Sequence, residues 1–151
     1  MKKACFPGSF DPFTKGHEDV VKRGLELFDS VVVAVGFNTS KQPLFELEKR
    51  LAHIRSLFAG ENRVIVKSYT GLTTTFCENE NCSQILRGLR DVKDFNYEQP
   101  IALMNRKMTG IETVFVLPEP ELLAINSSIV REIYKSGGKI DAFVTNADSL
   151  V

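Results

Sequence analysis

The sequence predicts an α/β fold: a single domain, 1–151, built on one doubly wound sheet of five parallel strands flanked by helices. Three observations lead there. Five short apolar runs are nearly continuous rather than alternating, as strands are when both sheet faces are covered. Helical periodicities fall between them. The strands recur about every 20–35 residues, which leaves room for right-handed βαβ crossovers. The arrangement is Rossmann-like.

The elements follow in the order β-α-β-α-β-α-β-α-β-α. KACFPG (3–8) is the first strand. HEDVVKRGLELF is a helix with Val21, Leu25 and Phe28 at i, i+4 and i+7. SVVVAVGF (30–37) is the second strand. In ELEKRLAHIRSLF, Leu47, Leu51, Ile54 and Phe58 carry one apolar stripe, and His53 within it reads as structural. RVIVKS (63–68) and SQILRG (83–88) are the next strands. Tyr97, Ile101, Met104 and Met108 then share one helix face, and TVFVLP (113–118) is the fifth strand. A helix carrying Ile129, Val130, Ile133 and Tyr134 opens at INSS, which supplies N-cap chemistry, and closes at Gly137-Gly138. The tail DAFVTNADSLV predicts a last short helix.

Composition narrows the partners. The chain has 151 residues, 43% apolar and 25% charged, with 19 basic and 19 acidic side chains. A balanced charge gives no global field for nucleic acid or an anionic membrane, so an anion site must be a local cluster. The longest apolar run, 31–37, is far short of a bilayer span. The expected location is the cytoplasm. Cys5, Cys77 and Cys82 are an odd set, expected as free thiols, and CENENC has no zinc spacing, so no metal site is expected.

In an open α/β sheet the ligand site lies beyond the carboxyl ends of the strands. The informative residues therefore follow each apolar run. After the first comes GSFDPFTKGH: Gly8 allows close backbone approach, Ser9 offers a hydroxyl and Phe10 an N–H. Gly16 and His17 stand where a helix begins, with free N–H groups facing the same space. The helix dipole disfavours a cationic His17, which leaves a neutral imidazole able to donate to a phosphate oxygen. The alternative is a surface histidine at a helix start. Asp11 and Pro12 shape the turn.

After the second strand, GFNTSKQP presents Lys41, which is either a ligand or an ordinary solvated lysine. After the fourth, RGLRDVKDFNYE presents Arg87 and Arg90. They either grip phosphates bidentately or pair internally with Asp91, Asp94 or Glu98. In INSSIVRE, Asn126 or Ser127 caps a helix, or the surplus polar groups hold terminal phosphates. With no GxSxG, HExxH or Cys–His signature, the set suits a chemistry of positioning and charge stabilisation, and phosphoryl-type transfer is one.

These residues also resemble a known family. GSFDPFTKGH resembles the [ST]xGH form of the HxGH signature of the nucleotidyltransferase superfamily, and INSSIVRE its ISSSxxR signature. RGLRDVKDFNYE, the later MNRKM and the lysine loop NTSKQPLF are similar to segments of the bacterial phosphopantetheine adenylyltransferases. The resemblance spans nearly the whole chain. It implies transfer of AMP from ATP to 4′-phosphopantetheine, giving 3′-dephospho-coenzyme A and pyrophosphate, with Mg2+ accompanying ATP. It implies His17 as transition-state stabiliser, with Lys41 and Arg90 assisting. It implies ATP contacts from Ser9, Phe10, His17, Gly88, Leu89, Arg90, Glu98, Leu122, Leu123, Ala124, Ile125, Asn126, Ser127 and Ser128. Substrate contacts are implied for Ser9, Lys41, Thr73 and Arg87, and Arg131 matches the signature arginine. A homohexamer, a dimer of trimers, with coenzyme A as a feedback ligand is likewise implied.

Three positions depart from the pattern: Ser9 for the commoner threonine, Thr14 where the wider superfamily often has histidine, and Asn126 for the first serine of ISSS. Ser127 and Ser128 are thus favoured over Asn126 as ligands. The competing readings are a cytidylyltransferase or nicotinamide-mononucleotide adenylyltransferase, and a non-catalytic nucleotide-binding module. RGLRDVKDFNYE disfavours the first. His17, Lys41, Arg87 and Arg90 disfavour the second.

Overall fold

A computed structural model describes residues 1–151. The five strands are β1 (Lys3–Gly8), β2 (Ser30–Gly36), β3 (Val64–Tyr69), β4 (Gln84–Gly88) and β5 (Glu112–Val116). They form one parallel sheet in the order β3-β2-β1-β4-β5. The order reverses between β1 and β4, so the carboxyl ends of these two strands flank the switch point. The helices are α1 (Lys15–Leu27), α2 (Leu47–Leu57), α3 (Thr73–Asn79), α4 (Val92–Thr109) and α5 (Ser127–Lys135).

The apolar runs are continuous because alternate residues enter two different cores. Val31, Val33 and Val35 of β2 face one side with Ala4 and Phe6 of β1, Val21 of α1 and Ile54 of α2. Val32, Ala34, Cys5 and Ile85 face the other, against Cys77 of α3. Both layers are buried, as a doubly covered sheet requires. The edge strands β3 and β5 are only partly buried, so the expectation of full coverage holds for the centre of the sheet. All three cysteines are free and buried together. The Cys77 and Cys82 thiols beside it, and burial, hold the Cys5 thiol protonated.

Helix ends agree with their chemistry. Thr14 caps α1, and Asn126 caps α5 by accepting from the N–H groups of Ser128 and Ile129. Gly137, at φ 84°, ends α5, with Gly137 N–H on Tyr134 O and Gly138 N–H on Ile133 O. That is the paired closure of a Schellman motif. Thr73 opens α3.

The face of α4 carrying Tyr97, Ile101, Met104 and Met108 is exposed, at 70%, 42%, 63% and 54%. Its periodicity is that of a helix, yet within one chain it stays largely open, with Tyr97 and Ile101 bordering a small cavity beside Thr73 and Arg87. The tail does the opposite. Ile140, Val144 and Leu150 fold back on Phe45 and Val130 as a third core, ending in a short 3₁₀ turn, Ala147–Ser149. His53, fully buried, sits at its edge with Nε2 donating to Thr145 O at 2.8 Å, in keeping with a structural role.

The third core is small, so each of its members counts. Leu150→Ala is expected to lower unfolding free energy by about 3 kcal/mol, measured by urea denaturation. A loss below about 0.5 kcal/mol would mean the tail is not part of the cooperative fold.

Candidate active site

The loop after β1 is held by its carbonyls. Arg87 Nη1, from β4, donates to Pro7 O. Arg50 Nη1, from α2, donates to Ser9 O at 2.6 Å. Arg131 Nη1 and Ser127 Oγ, from α5, donate to Asp11 O at 2.9 Å and Pro12 O at 3.1 Å. Four carbonyls are thus turned toward cations and a hydroxyl. The N–H groups of Ser9 and Phe10 make no hydrogen bond within the chain. They line a cavity of about 400 Å³ together with His17.

Phe10 takes φ 49°, a left-handed conformation unusual for a bulky residue. Its ring is 3% exposed and meets Phe6, Phe13 and His17 at centroid distances of 5.0, 5.1 and 5.0 Å. Burial of the ring offsets a backbone cost of about 1–3 kcal/mol. A Cβ on Gly8 would lie 2.8 Å from this ring, so the loop needs glycine there. Asp11 anchors the turn by accepting from Leu44 N–H and Phe45 N–H, each at 2.8 Å.

His17 stands at the third position of α1. Its Nδ1 accepts from the Thr14 N–H at 2.9 Å, and Thr14 Oγ1 lies opposite the His17 N–H, closing a capping box. In the neutral ring Nδ1 is therefore the acceptor and Nε2 carries the proton. Burial, then the charges of Arg87 and Arg90, push the imidazole down to about 3. Burial and neighbouring cations thus stand behind the neutral state expected from the sequence. Most first-turn N–H groups of α1 are also occupied: Lys15 N–H donates to Phe143 O, and His17 N–H to Thr14. The Gly16 N–H is left free on the helix, alongside the free Ser9 and Phe10 N–H groups on the loop before it.

Arg87 and Arg90 are both paired within the chain. Arg87 binds Glu98 through Nε at 2.6 Å and Nη2 at 3.1 Å. Arg90 binds Asp94 through Nε at 2.9 Å and Nη2 at 3.1 Å, and holds that carboxyl below the usual range. Glu98 and Asp94 stand one turn apart on α4, so a single helix face fixes both guanidinium groups. The structure shows the internal pairing weighed from the sequence, and Glu98 meets Arg87 directly.

The remaining predicted residues divide among three connected chambers. Leu122, Ile125, Asn126, Ser127 and Ser128 line the 400 Å³ cavity with Gly88 and Arg90. Leu89, Leu123 and Ala124 lie beside it without lining it. Lys41 is exposed and lines a larger cleft of about 990 Å³, which Ser9 and Arg131 share with the first. Thr73 lines a smaller one of about 190 Å³ with Arg87 and Glu98. Gly8 borders all three.

Asn126, Ser128 and Arg131 are engaged locally. Asn126 is the cap, Ser128 Oγ accepts from Arg131 Nη2 at 3.1 Å, and Arg131 also holds Asp11 O. Arg50 was not singled out from the sequence, although a signal exists. It sits at i+3 from Leu47 and beside Leu51 in an apolar stripe, a position where arginine is out of place.

In an NMR titration the His17 ring should stay neutral and Nε2-protonated down to about pH 5. A midpoint near 6.5 would overturn this assignment. The sign for stability follows. The unfolded ring binds a proton near 6.5 and the folded ring only near 3, so stability falls as pH drops through that window. His17→Gln should flatten this part of the acid limb in pH-dependent urea unfolding.

Comparison with known proteins gives the family. Residues 5–133 match the cytidylyltransferase-like family. The chain is 47% identical over 147 residues to the phosphopantetheine adenylyltransferase of Flavobacterium johnsoniae, covering 97% of each chain. It is 46% identical to that of Bacteroides fragilis, covering 95% of this chain and 96% of the other. A bifunctional NMN adenylyltransferase/ADP ribose pyrophosphatase from Francisella tularensis shares the fold, at TM-score 0.68 and 17% identity, over 95% of this chain and 44% of that one. Matched almost end to end at this level of identity, and carrying both signatures at one cleft, the chain belongs to the phosphopantetheine adenylyltransferase family of cytidylyltransferase-like nucleotidyltransferases.

Proposed function

We propose that the cleft at the ends of β1 and β4 transfers AMP from ATP to 4′-phosphopantetheine, releasing pyrophosphate and 3′-dephospho-coenzyme A. The observation that carries this reading is that His17, a neutral Nε2–H donor, lines the same cavity as Ser9 and Phe10, whose N–H groups are unpaired. These are donors without a nucleophile or a base among them. An attacking phosphate oxygen needs neither, because it has no proton to lose. It forms a bond to the α-phosphorus while the bond to pyrophosphate breaks, and the electron pair leaves with pyrophosphate.

The nucleotide occupies the chamber lined by Leu122, Ile125, Asn126, Ser127, Ser128, Gly88, Arg90 and Glu98, with Leu89, Leu123 and Ala124 beside it. The acceptor phosphate approaches from the Lys41 side past Ser9. Arg87 and Thr73 contact the rest of the acceptor. His17 Nε2–H and the two amides stabilise charge that grows on the non-bridging oxygens, the term that most lowers such barriers. Arg87 and Arg90 then exchange part of their carboxylate bonds for phosphate.

No three His, Cys, Asp or Glu side chains converge as a metal site. Mg2+ accordingly enters on the nucleotide phosphates and water, where it neutralises charge. No helix is long and apolar enough to cross a membrane, and the reaction belongs in the cytoplasm. The open apolar face of α4 supports assembly of several copies, for which the family resemblance suggests a homohexamer with coenzyme A as feedback ligand.

Pyrophosphate release from ATP should require 4′-phosphopantetheine and fail with nicotinamide mononucleotide or a cytidylyl acceptor. Absence of turnover with 4′-phosphopantetheine would sink the reading. His17→Ala should lower kcat about a thousandfold while ATP affinity stays within about tenfold, measured by steady-state kinetics and calorimetry. Met104→Glu should reduce the assembled mass in light scattering; an unchanged mass would exclude this face as the contact.

A further inference from the structure

We propose that Arg50 is a positioning residue for the transfer step, setting the direction of the Phe10 N–H. The proposal rests on the adenylyl-transfer reading and deepens it. Arg50 is 2% exposed and lies on α2, one turn away from the cleft loops. Its Nη1 donates to Ser9 O at 2.6 Å and its Nε to Phe45 O at 2.9 Å. Ser9 O and the Phe10 N–H belong to the same peptide unit. That unit is trans, since the chain's cis bond is Asp11–Pro12. In a trans peptide the carbonyl and the N–H point in opposite directions. Holding the oxygen at Arg50 therefore aims the N–H away from α2. Phe10 lines the nucleotide chamber, whereas Arg50 lines the Lys41 cleft. The peptide plane stands between them.

The second bond has its own consequence. Phe45 O belongs to the segment that follows the Lys41 loop, and Asp11 grips the N–H groups of Leu44 and Phe45 from the other side. Arg50 thus fixes the Ser9–Phe10 peptide relative to the segment carrying the candidate acceptor-phosphate lysine. The fork geometry of guanidinium permits two such bonds at once, and an ammonium does not reproduce it.

Fold stability alone does not account for this residue. Arg50 occupies the apolar stripe of Leu47, Leu51 and Ile54, where a buried charge costs free energy and an apolar side chain would serve. Burial lowers its proton affinity, and the nearby Asp11 opposes that. A costly cation kept in an apolar stripe, bonded to a carbonyl of the active-site loop, fits a demand on geometry.

Arg50→Lys and Arg50→Gln test this, with Arg55→Lys on the same helix as a control. Arg50→Lys should lower kcat at least about tenfold with KM for ATP changed less than about threefold. Its thermal midpoint should stay near that of the parent. In 1H–15N spectra the Phe10 amide should shift, and its response to inorganic pyrophosphate should shrink, while Gly88 on the opposite wall responds as before. Three results would overturn the proposal. One is a folded Arg50→Lys with kcat within about twofold of the parent. Another is an unaltered Phe10 amide response. The third is failure of both variants to fold, which makes Arg50 a residue of the fold alone. The parent enzyme is assayed in parallel, so a failed activity reading appears as no parental turnover and is distinct from each of these.

Discussion

The site depends on the turned-out carbonyls of the first loop. Arg87, Arg50, Arg131 and Ser127 each take one carbonyl, from Pro7, Ser9, Asp11 and Pro12. They come from β4, α2 and α5, which are far apart in sequence. A backbone held this way has its donors directed to the opposite side, where two are left unpaired beside His17. The left-handed Phe10 and the close Gly8 follow from the same constraint. Because the holding groups come from separate elements, the loop acquires its geometry only when the sheet and its helices have assembled.

The charges follow a related logic. A net charge of zero hides a cationic centre, in which Arg87, Arg50 and Arg131 hold one loop and Arg90 lines the adjoining cavity. Glu98, Asp94 and Asp11 stand close enough to keep that centre stable without a ligand. Partly buried guanidinium groups would otherwise repel one another and lose hydration. Burial, and then the charges of Arg87 and Arg90, keep His17 neutral. The cleft is therefore attractive to polyphosphate while its central imidazole remains a donor rather than a charge.

Two elements outside the sheet contribute differently. The tail closes a third core on α5 and α2 and meets the start of α1 through Phe143 O. It thereby steadies the helix that carries His17. Helix α4 turns Glu98 and Asp94 inward to the arginines and leaves its apolar face open. One helix thus joins the cleft to a surface suited to another copy.

The strands, most helices, the His17 loop and the α5 cap were legible in the sequence, because each is written in local periodicity or in a capping pattern. The family signatures added the identity of the cleft. Tertiary structure decided what those residues touch. Arginine pairing at Arg87 and Arg90 was open in the sequence, since a guanidinium binds a phosphate or a carboxylate by the same fork. The cause of His17's neutrality needed the surrounding rings and cations. Arg50 was passed over in the sequence, and its partner, Ser9 O, lies 41 positions away. Local patterns determine which elements form. The contacts that aim a donor or pair a charge join residues remote in sequence, and packing alone brings them together.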